Sequence, residues 1–266
     1  MKIGIVGCAG RMGRNLVRAV LAAEGVALAG GTETAGNPAI DEDVAVLVGE
    51  PACGLTVGND PAALLDAGDV VIDFTVPAAV IGHASLAARH GCALVVGTTG
   101  LASEQQEALA AAGEVVPVVQ AANMSVGVNL LLGLTRQVAA ILGDDYDIEI
   151  VEMHHRHKVD APSGTALALG HAAAAGRGIA LDAVSQRVRD GHVGSRRRGE
   201  IGFATLRGGD VVGDHTVVFA GDGERIEIGH RASSREVFAR GAVRAAQWTA
   251  GRPPGLYSMR NVLGLE

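Results

Sequence analysis

Aromatic residues are scarce in this chain, with one Trp, two Tyr and four Phe among 266 residues. A core built on rings is excluded, and packing must come from aliphatic side chains and alanine, within an apolar fraction of 48%. Cysteine is equally thin. Cys8, Cys53 and Cys92 are odd in number and far apart, which excludes a disulfide framework and a cysteine-built zinc site. The expected compartment is a reducing cytoplasm. Positive charge is in deficit, at 22 Lys plus Arg against 29 Asp plus Glu, a net charge of −7. That excludes the basic surface needed for sequence-independent nucleic-acid binding. No unbroken run of 18 apolar residues occurs, so no membrane span is expected. Met1-Lys2-Ile3-Gly4-Ile5-Val6-Gly7 goes straight into a strand-like run, so no signal peptide is expected either. Lysine is nearly absent: Lys2 and Lys158 stand alone, and every other basic residue of the 22 is Arg. Where Arg replaces Lys almost everywhere, an internal Lys is a candidate for work that a guanidinium cannot do.

What is present is a strand–helix alternation over the first 123 residues. Strands are predicted at Lys2–Val6, Val26–Gly30, Val70–Phe74, Ala93–Gly97 and Val115–Ala121, with helices over 11–24, 77–90 and 103–112. This spacing predicts an α/β domain with a doubly wound parallel sheet covered on both faces. Beyond Asn123 the texture changes. A helical run over 126–142 leads into Asp147–His154, where polar and apolar residues mostly alternate. Ile201–Leu206, His215–Ala220 and Glu224–His230 come next, the last two around a Gly221-Asp222-Gly223 turn. A second α+β domain with a mostly antiparallel or mixed sheet is expected. The polar, Arg-rich stretch 184–200 reads as a long loop, and 236–249 is helical again.

Two clusters carry chemistry. Gly7, Gly10 and Gly13 stand three residues apart between the first strand and the first helix. The first allows a tight turn, the second a close approach of backbone to pyrophosphate, the third close helix–strand packing. The alternative is a glycine turn without a ligand. Glu33, at the end of the second strand, stands where an acid meets an adenosine ribose. Thr34 comes directly after it, and a 2′-phosphate would want a cation there, so NADH is expected to serve at least as well as NADPH, although Arg11 or Arg14 could reach such a phosphate. Gly97-Thr98-Thr99-Gly100 and Ala121-Ala122-Asn123-Met124 close later strands and leave room for a nicotinamide ribose and carboxamide.

The second cluster is Glu152-Met153-His154-His155-Arg156-His157-Lys158-Val159-Asp160-Ala161-Pro162-Ser163-Gly164-Thr165-Ala166. Three readings compete: a solvated basic loop, a metal site of His154, His155, His157 and Asp160, or an acid–base site for an anionic substrate. The third gains support from the C-terminal half of the segment. Pro162 suits an early helical position, and Ser163-Gly164-Thr165 would offer N–H groups, hydroxyls and a positive dipole end to a carboxylate. No metal is expected.

Taken together, Gly7–Arg14 (GCAGRMGR), Asp73-Phe74-Thr75, Gly97–Gly100, Ala122-Asn123 with Ser125–Val128, and above all His154–Ala166 resemble the dihydrodipicolinate (4-hydroxy-tetrahydrodipicolinate) reductase family. Ile201–Ala204 and His230–Arg235 are similar to it as well. The resemblance implies an NADH- or NADPH-dependent reductase of a cyclic dicarboxylate in diaminopimelate and lysine synthesis, working as a cytoplasmic homotetramer. It implies a Rossmann domain of residues 1–124 and 236–266 and a substrate and oligomerisation domain of 125–235, hinged near Met124-Ser125 and Arg235-Glu236. His154 would be the acid/base residue and Lys158 the proton donor, with His155, Ser163, Gly164 and Thr165 holding substrate carboxylates. Gly7, Cys8, Ala9, Gly10, Arg11, Met12, Glu33, Gly97, Thr98, Thr99, Ala121, Ala122, Asn123 and Met124 would hold the cofactor. The chain departs from many relatives at Thr34, where they carry Arg, and at Met124, where they carry Phe. Closure of the domains only with both ligands bound is a further expectation. The rivals are another two-domain dehydrogenase, which should lack the His–Lys–Ser–Gly–Thr string, and a non-catalytic nicotinamide sensor.

Overall fold

The computed structural model describes residues 1–265, which divide into two compact units: one of residues 1–126 with the chain from Arg235 onward, the other Gly127–Ser234. In the first, strands β1 (Lys2–Val6), β2 (Ala27–Thr32), β3 (Val57–Gly58), β4 (Val70–Asp73), β5 (Ala93–Val96) and β6 (Pro117–Gln120) join the C-terminal strand Gly255–Tyr257 in a seven-stranded sheet. The order runs from Gly255–Tyr257 through β6, β5, β4, β1 and β2 to β3, and every pairing is parallel. Helices α1 (Arg11–Leu21), α2 (Pro61–Ala67), α3 (Pro77–His90) and α4 (Ser103–Gly113) join the strands, and the C-terminal helix Glu236–Trp248 returns to this unit. Ile3, Ile5, Val70, Val71, Ile72, Leu94, Val95 and Val118 are wholly buried, as a sheet covered on both faces requires. Because β1 lies between β2 and β4, chain progression reverses there, and a crevice opens beyond the carboxyl ends of these strands.

The doubly wound sheet expected from the sequence is present, with three unexpected additions. The segment 57–67 supplies β3 and α2, whose local signal is a cap: Asp60 accepts the Ala62 N–H at 2.9 Å, with Pro61 in the first turn. Gly255–Tyr257 extends the edge beyond β6. The two strands are short, and their neighbours rather than their own periodicity make them strands.

The second unit contains all but the first residue of α5 (Val126–Leu142), together with β7 (Asp147–His154), α6 (Gly164–Gly176), α7 (Leu181–Val184), β8 (Ser185–Gln186), β9 (Ile201–Arg207), β10 (Gly213–Gly221) and β11 (Glu224–Ala232). Its sheet runs β11-β10-β7-β9-β8 and is mixed: β10 is antiparallel to β7 and β11, whereas β7, β9 and β8 are parallel. Ile148, Ile150, Ile201, Val217 and Phe219 share its core with Ala166, Leu169 and Ala173 of α6. The loop after β8 is tied to the sheet by Arg196, which donates to Asp147 at 2.6 Å, Glu149 at 2.9 Å and the Glu200 carbonyl at 2.6 Å.

Helix α5 with the turn after it, Val126–Asp145, is the one helix among the described residues long and apolar enough to cross a membrane by length and composition, at mean hydropathy 1.5. Leu131 and Ala139 pack into the second core, Asn129 and Thr135 are buried polar residues, and the backbone at Arg136 lies so near α6 that a Cβ on Gly176 would sit 2.3 Å from its carbonyl oxygen. Leu130, Leu134 and Ile141 of the same helix are exposed, so only one side of it packs into this core.

Candidate active site

In the first unit the glycine loop has the geometry a pyrophosphate needs. Gly7 holds φ +70°, a conformation that strains any side chain. The Gly10 N–H closes the turn on Gly7 O at 3.1 Å. A Cβ on Gly13 would lie 2.0 Å from that same oxygen, so α1 meets the turn after β1 at backbone contact. Gly10 occupies the N-cap position, and among the described residues no side chain caps the helix, which leaves its positive end to an anion. Arg11 is exposed and Met12 half-buried. Cys8 is buried, and burial followed by the Glu33 charge pushes its thiol up to about 11, so it serves as packing.

Glu33 is tied into this loop. One carboxylate oxygen accepts the Ala9 N–H at 2.9 Å; the other accepts from the Asn37 amide at 3.1 Å and the Thr34 N–H at 3.3 Å. Arg14 is held by carbonyls, Ala9 O at 2.9 Å and Leu47 O at 2.6 Å. A cavity of about 330 Å³ borders Ala9, Arg14, Asn37 and Leu47. A second of about 320 Å³ borders Met12, Phe74, Thr75, Gly97, Thr98, Thr99, Ala122, Asn123, Met124, Arg235 and Phe238. Ala9 lines the one and Met12 the other, so the glycine loop borders both chambers. Ala121 does not line the second chamber; its N–H pairs with Val96 O at 3.1 Å and its side chain packs on the core.

In the second unit the alternation of β7 builds the site. Ile148, Ile150, Glu152 and His154 share its buried face, so the stripe that is core at one end becomes chemistry at the other. Glu152 is 1% exposed and uses both oxygens: His154 Nδ1 at 2.6 Å and Arg207 at 2.8 Å on one, Arg207 at 2.9 Å and the Ser163 N–H at 3.1 Å on the other. Burial alone would raise this carboxyl; the Arg207 guanidinium first, then His154 and the Ser163 N–H, outweigh it and hold it below the usual range. An ionised Glu152 can only accept, so His154 carries its proton on Nδ1 and turns Nε2 away from the carboxylate.

Ser163 caps α6 by accepting the Ala166 N–H at 3.2 Å, and its hydroxyl also meets His215 Nε2 at 3.1 Å. Pro162 therefore precedes the cap and lies outside the helix, contrary to its expected early helical position; the extended backbone of Ser163 takes that boundary. Gly164 and Thr165 form the first helical positions. His155 is half-buried, and its N–H bonds Val211 O at 2.7 Å. Lys158 Nζ pairs with both Asp160 oxygens, at 2.7 and 2.9 Å. His157 and Asp160 are exposed, and among the described residues no three His, Cys, Asp or Glu side chains converge as a metal set.

Arg207 and His215 do not stand out in the sequence, and Glu152 heads the His–Lys segment without a role of its own there. Register brings them in: His215 lies opposite Glu152, and Arg207 opposite His154. The one linear signal is that Glu152 and His154 are two apart in a strand and so share a face. His215 stacks edge-on against His154 at 5.1 Å. Burial first, then the His154 ring, push it down from 6.5 to about 4 despite the Glu152 charge, with His230 and Lys158 adding to the shift. The folded state thus takes up this proton later than the unfolded chain on acidification. Its contribution to stability is complete above pH 6.5 and declines as pH falls towards 4, by on the order of 3 kcal/mol. Urea midpoints at pH 7.5 and 4.5 should therefore differ more for the native chain than for His215→Gln. Equal differences would count against a buried neutral imidazole.

Residues 1–124 match the family described as dihydrodipicolinate reductase, N-terminus, and residues 127–263 the one described as dihydrodipicolinate reductase, C-terminus. The chain is 54% identical to the 4-hydroxy-tetrahydrodipicolinate reductase of Parvibaculum lavamentivorans, covering 100% of this chain and 98% of that one. It is 52% identical to the protein of the same name from Rhodopseudomonas palustris, with the same shares covered. In fold it is similar to the dipicolinate-bound dihydrodipicolinate reductase from Paenisporosarcina, at TM-score 0.77, 24% identity and 97% of each chain.

Proposed function

The chain belongs to the dihydrodipicolinate reductase family and reduces 4-hydroxy-tetrahydrodipicolinate on the way to diaminopimelate and lysine; from that premise we propose how its residues divide the work. The observation that carries the division is the buried Glu152–His154 pair at the strand end beside the Ser163-capped start of α6. When bound, the reduced nicotinamide supplies the hydride. Everything else falls to the chain. Gly164 and Thr165, on the positive end of α6 that Ser163 sets, hold one carboxylate of the cyclic diacid, and His155 holds the other. His154, its tautomer set by Glu152, exchanges a proton through Nε2. Lys158 is the proton donor to the ring, and Asp160 keeps its ammonium in place meanwhile.

For the cofactor, Gly7, Ala9, Gly10, Arg11 and Met12 take the pyrophosphate, with Cys8 as packing beneath them. Glu33 takes the adenosine ribose. Gly97, Thr98, Thr99, Ala122, Asn123 and Met124 take the nicotinamide end, with Ala121 supporting from behind. Met124, in a position where a ring would be stiffer, pads the chamber with a flexible thioether. NADH serves at least as well as NADPH, because Glu33 repels a 2′-phosphate, Thr34 offers no charge to it, and Arg14 is engaged with two carbonyls. The working form is a cytoplasmic homotetramer.

The test is steady-state oxidation of NADH and NADPH with enzymatically generated substrate. The native chain should turn over both, with kcat/KM for NADH no lower. Thr34→Arg should move the NADPH to NADH ratio upward about tenfold, the scale of one new charge-assisted contact. An unmoved ratio would place 2′-phosphate recognition elsewhere, and no oxidation of either nucleotide would end the assignment.

A further inference from the structure

Asp73 closes β4 and is wholly buried, yet neither substrate nor cofactor binding gives it anything to do. One of its oxygens accepts three hydrogen bonds: Thr75 N–H at 2.8 Å, Thr75 Oγ1 at 2.6 Å and Thr98 Oγ1 at 3.1 Å. The other meets His83 Nδ1 of α3 at 2.7 Å. Its backbone carbonyl accepts the Gly97 N–H at 2.9 Å, so β4 and β5 are locked together at this point. Burial would raise this carboxyl, but the His83 hydrogen bond and charge, followed by Thr75, outweigh it and keep it low. A carboxylate has no proton to give, so each of these contacts is donated to it.

This fixes the polarity of the neighbouring chamber. Thr75 and Thr98 both line it. A hydroxyl whose only proton is committed to Asp73 can offer any further partner nothing but lone pairs. We propose that the Asp73–His83 pair is a specificity-determining device, which turns Thr75 and Thr98 into obligate acceptors and so selects a ligand group that donates, namely the carboxamide N–H2 of a nicotinamide over the carboxylate of its nicotinic-acid counterpart. Asp73 is a positioning residue here and reaches the ligand through the two threonines. The device also sets distance. Thr75 Cγ2 lies 3.0 Å from where a Cβ on Gly7 would stand, so the same carboxylate spaces the β4 end from the phosphate loop.

The proposal rests on the nicotinamide reading of this chamber, and its test separates the two. Three ligands would be titrated into the full chain: NADH, reduced nicotinic acid adenine dinucleotide and ADP-ribose, which lacks the pyridine ring. The native chain should bind NADH and ADP-ribose and use the acid analogue as hydride donor with kcat/KM lower by about 100-fold, the penalty of facing acceptors with an anion. Asp73→Asn should compress that ratio to about tenfold or less while ADP-ribose affinity stays within about twofold. Thr75→Val with Thr98→Val keeps shape and leaves Asp73–His83 in place; it should compress the ratio likewise, and it decides the matter if Asp73→Asn fails to fold. Failure of the native chain to bind either NADH or ADP-ribose would sink the cofactor reading itself. Normal binding with a native ratio unchanged in the threonine pair would overturn the acceptor device alone.

Discussion

Replacing Lys158 by Ala is expected to lower kcat about 100-fold or more, on the usual scale for a positioned proton donor, with NADH affinity almost unchanged. The two effects separate because Lys158 belongs to the second unit and the glycine loop to the first. The fold should tolerate the change. Lys158 pairs with Asp160, which is 57% exposed, and an ion pair with so open a partner adds little to stability. Lys158→Arg makes the sharper comparison. Arginine restores the cation that an anionic substrate would meet, but it does not release a proton. Its KM for substrate should therefore recover towards the native value while kcat stays low. If Lys158→Arg recovers turnover, Lys158 supplies charge rather than a proton; if Lys158→Ala loses NADH affinity in equal measure, the assignment of Lys158 to the substrate is wrong. A solvent isotope effect on kcat that disappears in the variants would place the transferred proton on this ammonium.

The fold was legible where a segment's own periodicity decides its state. The parallel strands ending at Val6, Asp73 and Val96, and the helices starting at Arg11 and Pro77, arise from short apolar runs and their boundary residues. The two-residue strands Val57–Gly58 and Ser185–Gln186 were not legible, because a neighbour alone makes them strands. The glycine loop could be read as backbone geometry, and the structure agrees at Gly7 and Gly13, where a side chain would be strained or would collide. The charged framework behind the histidines could not. His154 and Lys158 advertise themselves by clustering in the chain, whereas Arg207 and His215 reach Glu152 and Ser163 only across neighbouring strands. The role of Asp73 escaped for the same reason, since its donors come from three different segments.

Glu152→Gln is expected to cost kcat about 100-fold as well, through a different route. The carboxylate accepts from His154 Nδ1 and so sets the tautomer of the ring, while Arg207 and the Ser163 N–H keep Glu152 itself ionised. Glutamine is close in shape but neutral, and its amide can present either an acceptor or a donor to Nδ1, so the tautomer is no longer dictated. In triad-type sites a neutralised partner of the catalytic histidine has that order of effect or more. The change also leaves the Arg207 guanidinium without its counter-charge in a half-buried place, so the melting temperature should fall, and that fall would be read separately from turnover. The pH profile distinguishes a catalytic cause from a structural one. Glu152 is held below the usual carboxylate range, so it contributes no limb to the native profile near neutrality. Its limb lies on the acid side, and Glu152→Gln, with no carboxyl to protonate, should lose that limb. A purely structural loss would scale kcat at every pH and leave the limb in place. Arg207→Met with Glu152 intact is the complementary change: it removes the guanidinium that lowers Glu152, so the pair should respond to acid at a higher pH than in the native chain. Should both variants keep the native profile, Glu152 would be only a structural tie between β7, β9 and the start of α6.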